Sequence, residues 1–117
     1  MEKIYNKLVR DKIPLIIANK GAKVKHRVLS PEEYKEALKT KLLEEVNELL
    51  KATDKAEMTE ELADVMEVLE GIRKVEEISE YDVAKMQHTK YTQKGGFLGR
   101  IFLESVEEKC NGRRQKP

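Results

Sequence analysis

Along two stretches of this chain, apolar residues recur at helical spacing. At about 100° per residue, Tyr34, Leu38, Leu42, Val46 and Leu49 fall on one arc, and Met58, Leu62, Val65, Val68, Leu69 and Ile72 fall on another. Local signals bound both helices. Ser30 is a good N-cap, Pro31 suits the first helical position, and Glu33 completes a capping box, so the first long helix runs to about Ala52. Thr53 and Asp54 offer a new cap, with Glu57 three residues beyond Asp54, and the second long helix runs to about Lys74. Ser79 with Asp82 starts a third, which must stop at Gly95-Gly96. A short helix begins close to Pro14 and stops at Gly21.

The rest is less determined. "AKVKHRVLS" alternates partly and fits either a short strand or an extended connection. "FLGRIFL" is apolar and fits a strand, a turn of helix or a packed loop. The expected fold class is all-α: an antiparallel helical bundle with short loops, in which residues 1–105 form a single domain and residues 106–117 a flexible basic tail.

Composition supports helices over a sheet sandwich. Of 117 residues, 38% are charged and 5% aromatic, and there is no tryptophan. A net charge of +1 supplies no global basic field, and aromatics do not interleave with the lysines, which argues against a nucleic-acid partner. The single cysteine, Cys110, cannot form an internal disulfide. No apolar run reaches the roughly 18 residues of a membrane span, and "MEKIYNKLVRDKIP" has no signal-peptide core. The expected location is cytoplasmic, with no membrane partner.

The acids sit oddly on this pattern. Glu45 falls between Tyr34 and Leu38, inside the apolar arc, and Glu48 lies just off its edge. Glu61 falls between Val68 and Ile72, inside the second arc, and Asp64 lies just off that edge. Glu44 points well away, towards expected solvent. A buried, unpaired carboxylate costs of the order of several kcal/mol, and two across one seam add repulsion. Pairing of Glu45 or Glu61 with Lys41 or another lysine is one remedy. A shared divalent cation is another, and hard oxygen ligands on facing helices suit Mg²⁺ or Mn²⁺ rather than zinc. His26 and His88 lie too far from the pattern to be ligands.

Written out, the acids form ExxE (Glu45 to Glu48), twelve residues, then ExxD (Glu61 to Asp64). This resembles the signature of the all-α nucleoside triphosphate pyrophosphohydrolase superfamily, which includes MazG-type enzymes, phosphoribosyl-ATP pyrophosphohydrolase and the dimeric dUTPases. "LLEEVNEL" and "EELADVMEVLEGI" look like the two motif helices of the MazG and phosphoribosyl-ATP branch, and "YNKLVRDKIP" and "KGGFLGRIFL" look like the flanks of a small-protein subgroup within it. Together these segments cover most of residues 5 to 103.

The resemblance implies a bundle of MazG-like type, completed by oligomerisation. It implies that Glu45, Glu48, Glu61 and Asp64 bind Mg²⁺, with Mn²⁺ as an alternative, and that a nucleotide substrate is cut between its α- and β-phosphates to a monophosphate and pyrophosphate. Glu45 or Glu48 would double as the base that activates water. By the same resemblance Lys90 and Lys94, one turn apart, contact phosphate. Lys7 and Arg10 are further phosphate candidates, although Arg10 can equally pair with Asp11 or another acid. Phe97, Tyr91 and Tyr5 are candidate walls for a base.

The apolar surface continues beyond each arc at Leu43, Leu50, Met66 and Leu69. This points to self-association, as a homodimer or homotetramer, with the site formed at a chain boundary. The alternative from another class is a non-catalytic helical interaction and oligomerisation module that keeps an acidic metal-binding seam.

Overall fold

The structure, a computed structural model, describes residues 1–108. Their regular structure is entirely helical: α1 (Ile13–Asn19), α2 (Pro31–Lys51), α3 (Lys55–Val75) and α4 (Glu80–Lys94), with no strand among the described residues. The chain divides into two units, Met1–Val83 and Ala84–Pro117. Cys110 and the basic tail from residue 109 onward lie outside the described residues.

The helix starts follow their local chemistry. At α2 the Ser30 hydroxyl accepts from the Glu33 N–H at 3.2 Å, and the Glu33 carboxylate accepts from the Ser30 N–H at 3.2 Å. Each satisfies a donor that a helix start leaves unpaired. Arg27 adds a two-pronged contact to the same carboxylate, at 3.2 and 3.0 Å, and together these hold the Glu33 pKa down to about 2. Arg27 thereby tethers residues 22–30, which form an extended connection rather than a strand. At α3 the Asp54 carboxylate accepts from the Glu57 N–H at 2.8 Å. At α4 the Ser79 hydroxyl accepts from the Asp82 N–H at 3.0 Å.

The helix ends are equally local. Gly21, at φ 93°, follows α1. At the end of α3, Ile78 N–H bonds to Arg73 C=O at 2.9 Å and Glu77 N–H to Lys74 C=O at 3.1 Å, the pairing of a Schellman closure. Glu77 occupies the left-handed position, φ 56°, where glycine is the usual residue. Gly95 closes α4 at φ 80°, its N–H bonded to Tyr91 C=O at 2.8 Å.

Within the first unit, α2 and α3 form an antiparallel hairpin joined by residues 52–54. So tight a turn dictates the register: residues equally far from Thr53 lie at one height. Leu38 and Val68, each fifteen residues from Thr53, are the two buried hydrophobics of the core, at 4% and 8% exposure. Gly71 lets the helices close there. A Cβ at Gly71 would lie 3.0 Å from Leu38 Cδ2 and 3.5 Å from the Tyr34 hydroxyl.

The apolar arcs are otherwise only half covered. Met58, Leu62 and Leu69, placed on the inward arc of α3 by spacing, are exposed, as are Leu43, Leu50 and Met66 beyond the arcs. One partner helix shields a narrower stripe than a full bundle would. In the second unit, Phe97–Arg100 makes a turn, with Arg100 N–H bonded to Phe97 C=O at 3.1 Å. "FLGRIFL" is therefore neither strand, helix nor packed loop: Phe97 and Leu98 are 97% and 96% exposed, and Ile101 and Phe102 are also exposed. Gly96 lies against the Tyr91 ring, where a Cβ would meet Tyr91 Cε2 at 3.2 Å.

Two substitutions test the hairpin. Leu38→Ala should cost about 2–4 kcal/mol in urea unfolding, since it opens a cavity at the core. Gly71→Val should cost at least about 1 kcal/mol through overpacking against Leu38. Gly71→Ala should come out near neutral, its helix-propensity gain of about 1 kcal/mol offset by the tight contact.

Candidate metal centre

Glu45 and Glu61 each lie eight residues from Thr53, so the turn that pairs Leu38 with Val68 also brings these two acids to one height on the seam. Asp64, one turn further along α3, joins them. Each of Glu45, Glu61 and Asp64 is half-buried and offers one carboxylate oxygen, and the three oxygens lie within 4.8 Å of one another. Neither histidine takes part. Glu48 stands outside this group and is exposed, yet its charge still acts on Glu61.

Three cations surround the acids. Lys41 sends its ammonium to Glu44 at 3.1 Å and to Glu45 at 3.2 Å, one turn along α2. Lys7 reaches the same oxygen of Glu44 at 3.1 Å. The Arg10 guanidinium reaches Asp64 at 2.7 Å. Thus Lys7 and Arg10, both candidates for phosphate, rest on acids of the helical hairpin.

Glu44 was expected to face solvent and is only partly exposed, at 29% of its side chain. The N-terminal segment runs along that side of α2, and Asn6, Lys7 and Leu8 enclose with Ala37, Thr40, Lys41 and Glu44 a cleft of about 150 Å³. A helical wheel assigns that face to water because it knows nothing of a segment 37 residues away in sequence.

The protonation balance follows from these contacts. Partial burial alone would raise the Glu44 pKa, but hydrogen bonds from Lys7 and Lys41 outweigh it and leave it lowered. Burial likewise pulls Lys41 down, and its bonds to Glu44 and Glu45 more than reverse this. Glu61 goes the other way. Desolvation comes first, then the charges of Asp64, Glu45 and Glu48, and all of them raise its pKa. Among the described residues no lysine or arginine pairs with Glu61. A site with three converging hard oxygens and an acid lacking a counter-charge could hold a small divalent cation such as Mg²⁺ or Mn²⁺.

Lys90 and Lys94 lie in the second unit, exposed on successive turns of α4. Tyr5 is exposed in the first unit, with the Lys3 ammonium 5.0 Å from its ring centre. Of the four acids that the sequence singles out, Glu45, Glu61 and Asp64 come together and Glu48 does not, while Lys41, the expected possible partner, does pair with Glu45. The sequence reading missed the double use of Lys41, although Lys-x-x-Glu-Glu carries that signal at i, i+3 and i, i+4. No local signal marks the Arg10–Asp64 pair, whose partners are 54 positions apart.

Glu61→Gln tests the electrostatics of the metal-free protein. An acid that holds its proton more tightly when folded adds stability fully below its ordinary pKa of 4.5 and loses it as pH rises through the raised value. The melting temperature of Glu61→Gln without metal should therefore exceed the parent's at neutral pH, and the difference should shrink as pH falls from that raised value to 4.5. A pH-independent difference between the two proteins would contradict the assignment.

No family model, no curated protein and no solved structure matches this chain, so the family resemblance rests on its sequence motifs alone.

Proposed function

We propose that this chain is a Mg²⁺-dependent nucleotide pyrophosphohydrolase of the all-α, MazG-like type, acting as a homo-oligomer. The observation that carries this reading is the convergence of Glu45, Glu61 and Asp64 to within 4.8 Å. Lys41 and Arg10 answer Glu45 and Asp64, but among the described residues no lysine or arginine pairs with Glu61, and a bound cation would supply that missing counter-charge.

Bound there, a divalent cation would neutralise charge on a polyphosphate and draw electron density from the bond to be cut. The chain's own residues do the rest. Glu45, Glu61 and Asp64 would hold the ion, and Glu48 is the fourth acid of the motif. Glu45 or Glu48 is the carboxylate assigned to take a proton from water, and Glu48 lies outside the close group, so holding the ion would not occupy it. That water adds across the α–β phosphoanhydride. One new P–O bond forms, the bridging P–O bond breaks, and monophosphate and pyrophosphate leave. Lys7, Arg10, Lys90 and Lys94 are the cations assigned to the phosphates. The exposed Leu43, Leu50, Met66 and Leu69 are the surface assigned to a second copy, which would complete the bundle.

The test is a nucleotide panel incubated with Mg²⁺, with pyrophosphate detected separately from orthophosphate. The expected result is Mg²⁺-dependent pyrophosphate release. Glu45→Gln and Glu61→Gln should each lower turnover at least about 100-fold, the scale of removing a group that stabilises developing charge. Lys94→Ala should raise KM and leave kcat nearly intact. Millimolar Mg²⁺ should also raise the melting temperature of the parent and not that of Glu61→Gln. A parent protein that releases no pyrophosphate and melts identically with and without Mg²⁺ or Mn²⁺ would refute the proposal.

A further inference from the structure

We propose that Arg10 and Lys41 are resident counter-ions of the carboxylate group, and that a divalent ion takes its place by displacing them. This rests on the metal-centre reading above. Two of the three converging acids are already paired: Asp64 with the Arg10 guanidinium at 2.7 Å, and Glu45 with the Lys41 ammonium at 3.2 Å. Glu61 has neither and is the open position through which an ion first engages.

The exchange balances in charge. One divalent ion replaces two monovalent side chains, so the negative charge left on the seam is the same before and after. It is not free of cost, because both pairs must break. The metal-free protein therefore binds an ion more weakly than its carboxylates alone would.

Each displaced cation has a different second partner. Lys41 already shares its ammonium with Glu44 at 3.1 Å and can swing wholly onto it. Arg10 lies on the irregular N-terminal segment, held at Lys7 by Glu44, and is more than half exposed. Once released, its guanidinium would be free for phosphate oxygens, which its planar fork matches. Metal and nucleotide should then bind with positive coupling, because each relieves a cost paid by the other, and such coupling is reciprocal. Arg10 thus acts as a gate on the ion and a clamp on the phosphate.

The opposite signs of those two roles supply the test. Mn²⁺ binding is measured by electron paramagnetic resonance or calorimetry at fixed ionic strength for the parent, Arg10→Gln, Lys41→Met and Glu61→Gln. Binding of a non-hydrolysable nucleoside triphosphate, methylene-bridged between its α- and β-phosphates, is measured in saturating Mn²⁺. Lys41→Met keeps the apolar stem, Lys41→Arg restores the charge, and circular dichroism checks folding of each variant. Arg10→Gln and Lys41→Met should bind Mn²⁺ about tenfold more tightly than the parent, and Lys41→Arg should behave as the parent. Arg10→Gln should bind the triphosphate analogue more weakly, a crossing of trends that mere structural damage would not produce.

Unchanged or weaker Mn²⁺ binding by both variants, with Glu61→Gln still abolishing binding by the parent, would overturn the counter-ion proposal and leave the metal centre standing. Mn²⁺ binding by none of the proteins would bring down the metal centre and this proposal with it. Binding by the two variants alone would support the counter-ion role in its strongest form.

Discussion

Three carboxylates with oxygens inside 4.8 Å of one another repel, and much of the first unit is arranged around that repulsion. The hairpin creates the conflict, because a three-residue turn admits one register and that register aligns Glu45 with Glu61. Arg10, Lys41 and, through Glu44, Lys7 relieve it. The N-terminal segment, which has no helix before residue 13, is thereby tied to both α2 and α3 by ion pairs. The pairs of Lys7 and Arg10, with their cations 41% and 56% exposed, are individually weak. They can therefore yield to a stronger competitor, which is the property a binding site needs.

The hydrophobic contribution is small by comparison. Among the described residues Leu38 and Val68 are the buried apolar ones, and Gly71 allows the helix pair to close on them. Around that contact the two long helices keep broad apolar faces open, and in the second unit Phe97, Leu98, Ile101 and Phe102 are exposed together. Exposure on this scale is costly for a chain acting alone. The proposed homo-oligomer would supply the cover, and the same association would make its stability depend on protomer concentration.

Helix existence and helix ends were readable because their causes are local. Ser30, Asp54 and Ser79 each bond to an amide three residues on, and Gly95 supplies the left-handed closure of α4. None of these depends on distant chain. The acids' positions on the wheel were readable for the same reason, and Glu45, Glu61 and Asp64 converge as their spacing implied. Packing is another matter. Periodicity placed Met58, Leu62 and Leu69 on an inward arc, and they are exposed because a wheel gives the direction of a side chain and not the presence of anything opposite it. The apolar "FLGRIFL" was expected to be packed if it was a loop, and it forms an exposed turn.

By itself, then, the sequence determined an all-α fold class, the limits of its long helices, and which acids share a face. Only the tertiary structure decided which cations answer those acids. Lys7 and Arg10 could be assigned to phosphate from type alone, yet they rest on Glu44 and Asp64, and Glu44 itself is partly covered in a cleft beside the N-terminal segment. The physical reason is range. Hydrogen bonds within a helical turn are written in three or four consecutive residues, whereas an ion pair across 37 or 54 positions exists only after the backbone has closed the intervening loop.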